Sequence, residues 1–151
     1  MATKADAGLH EALPDDFMQG MQGFAPGFSV GVDIAEIARF KNLDALSQGS
    51  RARFLAKVFT KKELAYCTSR ANPAPHLAAR FAGKEAVLKS LTLLTPHDAA
   101  HPALSQIEIT HGAKGAPIVK LPSRFNGIEV QVSLSHSRES ALACAIARRR
   151  A

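Results

Sequence analysis

The chain has 151 residues and a mass of 16.1 kDa, room for one ordinary domain and not for two. Its 46% hydrophobic and 21% charged residues exclude wholesale disorder. No apolar run approaches the roughly 20 residues that cross a bilayer, and the first residues carry no basic-then-apolar leader, so a cytoplasmic protein without a membrane partner is expected.

The net charge of +6 is unevenly spread. Residues 1–27 hold one lysine and four acids, a net −3, whereas residues 28–151 hold 18 basic and 9 acidic residues, a net +9. From Arg51 to Lys89, nine basic residues face only Glu63 and Glu85. Such a field concentrates anionic partners without naming them. Tryptophan is absent and Tyr66 is the only tyrosine, which argues against a stacking platform for nucleic acid. Cys67 and Cys144 are too few for a disulfide framework and lack metal-ligand spacing.

Residues 1–27 read as an N-terminal extension. Leu13, Phe17, Met21 and Phe24 mark one face of a short helix, broken by Pro26-Gly27. Phe28 to Ile34 alternates and is rich in β-branched residues, which predicts a strand. Ile34, Ile37, Ala38 and Leu43 change to a helical period, so Asp33 is expected near a strand-to-helix junction. Phe54, Leu55 and Val58 predict a short helix. Thr60 and Glu63 form a capping-box pattern that opens another, running to about Ser69. Pro73 and Pro75 read as a loop.

His76 to Leu91 is the clearest helix, rich in Ala, Leu, Lys, Arg and Glu. Glu85 and Lys89, four apart, share one side of it. After a proline-bearing loop from Thr92 to Pro102, Ile107–Thr110 and Pro117–Leu121 predict a hairpin around Gly112–Gly115. Ile128–Leu134 and Ser140–Ala147 predict two further strands. A leading strand, a helical middle and a run of antiparallel strands define an α+β fold, with 28–151 as its domain.

Three polar residues interrupt apolar elements: Asp33, Glu85 and His136. Singly, each has a plain structural explanation. Asp33 can cap a helix, Glu85 can pair with Lys89 on a solvated face, and His136 can sit exposed in a turn. Arg39 alone is an ordinary solvated charge. The strings that hold them are more specific. They are Gly31-Val-Asp33-Ile-Ala-Glu36-Ile-Ala-Arg39-Phe40, then Arg80-Phe81-Ala82-Gly83-Lys84-Glu85-Ala86-Val87-Leu88-Lys89, then Val132-Ser-Leu-Ser135-His136-Ser137.

In order and spacing, from about Ser29 to Ala147, these strings resemble the holo-acyl-carrier-protein synthases, the short branch of the 4′-phosphopantetheinyl transferases. The resemblance implies that family's fold, an antiparallel sheet packed against a long helix, and usually a homotrimer with sites at subunit boundaries. It implies transfer of phosphopantetheine from coenzyme A to a serine of an apo acyl carrier protein, a step of fatty acid biosynthesis, with 3′,5′-ADP leaving. By similarity, Asp33 and Glu85 are the Mg²⁺ ligands and act in catalysis together with Lys89, which adds positive charge at the diphosphate. Arg80, Lys84, Ser135 and His136 are implied to contact the coenzyme, and Arg39 to contact the acidic carrier protein. The resemblance further implies Asp33 and His136 from one chain and the Glu85 helix from the next. The nucleophilic serine belongs to the carrier protein, and either Glu85 or a metal-held water accepts its proton.

The chain departs from the family's Gly-Thr-Gly loop after the lysine helix, reading Ser90-Leu-Thr-Leu-Leu-Thr-Pro-His-Asp98 with no glycine. A non-catalytic homologue that only binds carrier protein or coenzyme is the alternative. A small basic nucleic-acid module rests on charge alone.

Overall fold

The computed structural model of the protein describes residues 27–41, 48–92, 94–95 and 99–150. The expected N-terminal helix and Leu43 lie outside the described residues. Three helices follow the first strand: α1 (Gln48–Val58), α2 (Lys61–Thr68) and α3 (Pro73–Thr92). The strands are β1 (Phe28–Glu36), β2 (Glu108–His111), β3 (Pro117–Lys120), β4 (Ile128–His136) and β5 (Ser140–Arg149). β1, β5 and β4 form an antiparallel sheet in that order, and β2 and β3 form a separate antiparallel hairpin. The α+β expectation, with a long helix on an antiparallel sheet, matches this architecture.

α3 is buried on nearly every side, unlike the half-wet amphipathic helix its period suggests. Small residues allow the close approach. Ala141, Ala143, Ala145 and Ala147 of β5 turn to the helix, which answers with Ala78, Ala82 and Ala86. At Gly31 the strand touches the helix so closely that a Cβ would run into the Ala86 carbonyl. Ile37, Phe40, Phe59, Leu77, Val87, Leu91, Ile107 and Ile109 fill the rest of the core.

Three local expectations are corrected. α3 begins at Pro73, because a proline in the first turn needs no intrahelical N–H partner and brings its own helical φ. β1 continues to Glu36, because β5 pairs with it over its whole length, Asp33 opposite Ala143. Asp33 is therefore mid-strand, and only a single 3-10 turn, Ile37–Phe40, follows. The capping box of α2 forms as its pattern predicts. Thr60 Oγ1 accepts from the Glu63 amide at 3.3 Å, and Glu63 Oε2 accepts from the Thr60 amide at 2.7 Å. The glycine-free end of α3 closes on the Leu91 carbonyl, which accepts from the Leu94 and Thr95 amides at 3.0 and 3.1 Å and from the Thr95 hydroxyl at 3.0 Å.

Candidate active site

Asp33, on the helix-facing side of β1, is only 18% exposed. Lys89 reaches across from α3, its Nζ donating to Asp33 Oδ1 at 2.8 Å and to the Val32 carbonyl at 3.0 Å. One turn earlier stands Glu85. Burial holds its carboxyl above the usual carboxylate range, the negative charge of Asp33 pushes the same way, and Lys89 and Arg39 oppose both. Arg39 leaves the 3-10 turn and lays its guanidinium 5.1 Å from the centre of the Phe81 ring. Two carboxylates and two cations thus form one electrostatic unit within a single chain. The expectation that Asp33 and Glu85 come from different chains is corrected: the close seam between β1 and α3 brings them together.

As metal ligands, this pair offers two hard oxygen donors. Among the described residues no group of three or more His, Cys, Asp or Glu is placed to hold a metal ion. Two carboxylates leave most of a coordination sphere to water and substrate phosphate, which suits Mg²⁺ and does not suit a structural zinc.

A second cluster gathers around Arg80. Five helical residues separate it from Glu85, a rotation of about 140° around α3, so the two clusters occupy opposite sides of the helix. Arg80 is 3% exposed. Its guanidinium lies 4.2 Å from the centre of the Tyr66 ring, with Nη1 donating to the His76 carbonyl at 3.3 Å and Nη2 at 2.6 Å from His111 Nε2. Its Nε has no hydrogen-bond partner among the described residues. Arg70 stacks on Tyr66 at 4.2 Å, and the His136 ring lies 6.5 Å from that of His76. A cavity of about 190 Å³ opens beside Tyr66, Arg80 and His111. Burial and then the charges of Arg80 and Arg70 hold the His76 imidazole below its ordinary pKa. Two arginines and three histidines thus gather on this side of the helix.

One expected coenzyme contact is corrected. Lys84 is fully buried, its Nζ bonded to Glu63 Oε2 at 2.6 Å and to the carbonyls of Val58 and Leu104 at 2.5 and 3.1 Å. All three of its donors are used inside the protein, so it braces α3 against α2 and does not meet a ligand. Ser135 and His136 are neighbours on a regular strand and point to opposite faces. His136 turns to α3, and Ser135 turns to the far face of the sheet.

Sequence reasoning missed His76, His111, Tyr66 and Arg70. His76 stands four residues before Arg80 on one helix, a spacing that could have joined them. His111 arrives only through the pairing of β2 with β3, which no linear spacing reveals.

The small α+β fold agrees with a family match over residues 29–147: the chain belongs to the 4′-phosphopantetheinyl transferase superfamily, on the branch of the holo-[acyl-carrier-protein] synthases. It is 46% identical over 123 residues to such a synthase of Chlamydia felis, covering 78% of this chain and 94% of that one. To the synthase of Thermodesulfovibrio yellowstonii it is 43% identical over 117 residues, 76% of this chain and 92% of that one. A crystal structure of the Helicobacter pylori synthase in complex with coenzyme A is similar with a TM-score of 0.60 at 25% identity, covering 77% of this chain and 96% of that one.

Proposed function

We propose that this protein transfers 4′-phosphopantetheine from coenzyme A to a serine of an apo acyl carrier protein and releases 3′,5′-ADP. The observation that carries the reading is the Asp33, Glu85 and Lys89 constellation at the β1–α3 seam. The serine oxygen forms a bond to the pantetheine-side phosphorus, and the bond from that phosphorus to the bridging oxygen of the diphosphate breaks. Asp33 and Glu85 would hold Mg²⁺, which when bound neutralises charge on the diphosphate. Lys89 offers a further positive charge, with its side chain 54% exposed. Glu85, kept basic by burial and by Asp33, is the chain's own acceptor for the serine proton. Arg39, beside the pair, faces the acidic carrier protein. Arg80 and His136 meet the phosphomonoester end of the coenzyme. Mass spectrometry of an apo carrier protein after incubation with coenzyme A and Mg²⁺ should show addition of the phosphopantetheine mass, and excess EDTA should abolish it. Absence of addition with several carrier proteins would leave a non-catalytic binder.

The working form we infer is a cytoplasmic homotrimer. On the sheet face turned away from α3, Phe28, Val30, Val32, Ile34, Leu142 and Ile146 are 46–66% exposed, an apolar surface in search of cover. Because the seam and the Arg80 pocket lie on opposite sides of α3, one coenzyme meets both only when adjacent chains supply one each. Cys144 lies on this same face. In the trimer it should resist alkylation. The buried Cys67, pushed up to about 11 chiefly by desolvation, stays unreactive in either state. Sedimentation as a monomer with Cys144 freely alkylated would overturn the trimer.

A further inference from the structure

Arg80 carries five N–H donors and is nearly sealed from solvent. A guanidinium in that position needs a fixed plane if it is to meet a phosphate in two-point fashion. Tyr66 supplies the floor and the His76 carbonyl one edge. His111 holds a second edge, leaving the Nε side without a partner among the described residues, and the chemistry of the His111 contact is restrictive. Arginine stays protonated and can only donate, so His111 Nε2, 2.6 Å from Arg80 Nη2, must be the acceptor. The other ring nitrogen, Nδ1, lies 3.2 Å from the Gly115 carbonyl, which can only accept. One tautomer satisfies both contacts: hydrogen on Nδ1, lone pair on Nε2. The β2–β3 turn is shaped for it, with Lys114 at φ 64° and Gly115 at φ 77° turning the Gly115 carbonyl back toward the ring.

We infer that His111 is a positioning residue, held as the Nδ1–H tautomer by the Gly115 carbonyl, that fixes the Arg80 guanidinium on Tyr66 to receive the coenzyme's phosphate monoester. The inference rests on the coenzyme reading above for its ligand, though not for its geometry. It makes the β2–β3 hairpin part of coenzyme selection without touching the coenzyme. Discrimination between coenzyme A and dephospho-coenzyme A then depends on an acceptor at position 111 and not on a charge there. A His111→Gln chain keeps an acceptor oxygen, His111→Ala has none, and His111→Lys replaces the acceptor by a cation.

Two measurements decide it, neither needing turnover. In the ¹⁵N-labelled full chain near pH 7.5, long-range ¹H–¹⁵N correlation should show His111 protonated at Nδ1 and bare at Nε2. Calorimetry should show the wild type preferring coenzyme A over dephospho-coenzyme A. That preference should fall by about tenfold, the loss of one charge-assisted hydrogen bond, in His111→Ala and His111→Lys and return largely in His111→Gln. An Nε2-bound proton, an unchanged preference in His111→Ala, or full preference in His111→Lys would each overturn the inference. So would a wild type that does not discriminate. Loss of transfer activity alone, with these readouts intact, would instead count against the transferase reading.

Discussion

Glu85 is held in an unfavourable place for an isolated carboxylate, half-buried and next to Asp33. Neutralising it should therefore cost activity without costing stability. Glu85→Gln is expected to lower kcat by about 10²–10⁴-fold, on the scale of a lost acid–base group, while the melting temperature stays level or rises. Asp33→Ala should lose as much turnover, and it leaves Lys89 without its carboxylate partner. Activity assays beside thermal melts separate the two effects, and a melting temperature that collapses with Glu85→Gln would make that residue structural. His76 gives the pH dependence. Its folded pKa lies below 6.5, for desolvation first and neighbouring cations second. As pH falls through 6.5, the unfolded chain takes up a proton that the folded chain still refuses, so stability declines with falling pH. Denaturant midpoints from pH 7.5 to 5.5 should show a shallower decline in His76→Gln than in the wild type. A sequence string signals Asp33, Glu85 and Lys89 because each keeps its place in a local motif. Lys84 sits in the same string and misleads, because its partners Glu63, Val58 and Leu104 come from remote segments.

At the scale of elements, the seam between β1 and α3 determines whether the site exists. Gly31 stands two residues before Asp33, where a methyl group would meet the Ala86 carbonyl and the Ser90 amide nitrogen. Backbone cannot yield as a side-chain tip can. Gly31→Ala should cost about 1–3 kcal/mol in urea unfolding and lower kcat as well, because it moves Asp33 away from Glu85. Gly49→Ala on α1, with open space around it, is the control and should be neutral or slightly stabilising. The Lys84–Glu63 pair ties α3 to α2, and Glu63 Oε1 also accepts from the Ile109 amide of β2 at 2.9 Å. Lys84→Met strands a buried carboxylate and should destabilise by about 3–5 kcal/mol, read as a shifted denaturant midpoint with an unchanged slope. Elements with a clean period or cap, such as β4, β5 and the Thr60-capped helix, were legible in the sequence. The run of β1 to Glu36 was not, because pairing with β5 overrides the helical spacing of Ile34, Ile37 and Ala38. The start of α3 at Pro73 hid behind prolines that read equally well as loop.

At the scale of the molecule, the division of the site around α3 sets a rule for how chains can rescue one another. Asp33, Glu85 and Lys89 share one side within a chain, while Arg80, His76 and His136 occupy the other. In the proposed ring of three, each interface would join the first side of one chain to the second side of its neighbour. Co-expressed Asp33→Ala and Glu85→Ala chains should therefore stay inactive, because every seam in the mixture lacks one carboxylate. Glu85→Ala co-expressed with Arg80→Gln should differ. Wherever the Arg80→Gln chain supplies its intact seam and the Glu85→Ala chain its intact pocket, the interface is whole, and random mixing makes about a quarter of interfaces so. Transfer to apo carrier protein, measured on purified mixed trimers with coenzyme A at limiting concentration, should recover toward that fraction of wild type. Recovery in the Asp33→Ala and Glu85→Ala mixture would mean that the carboxylates act across chains. No recovery in the second mixture, with trimers verified by sedimentation, would mean that a single chain serves its own coenzyme on both sides of α3.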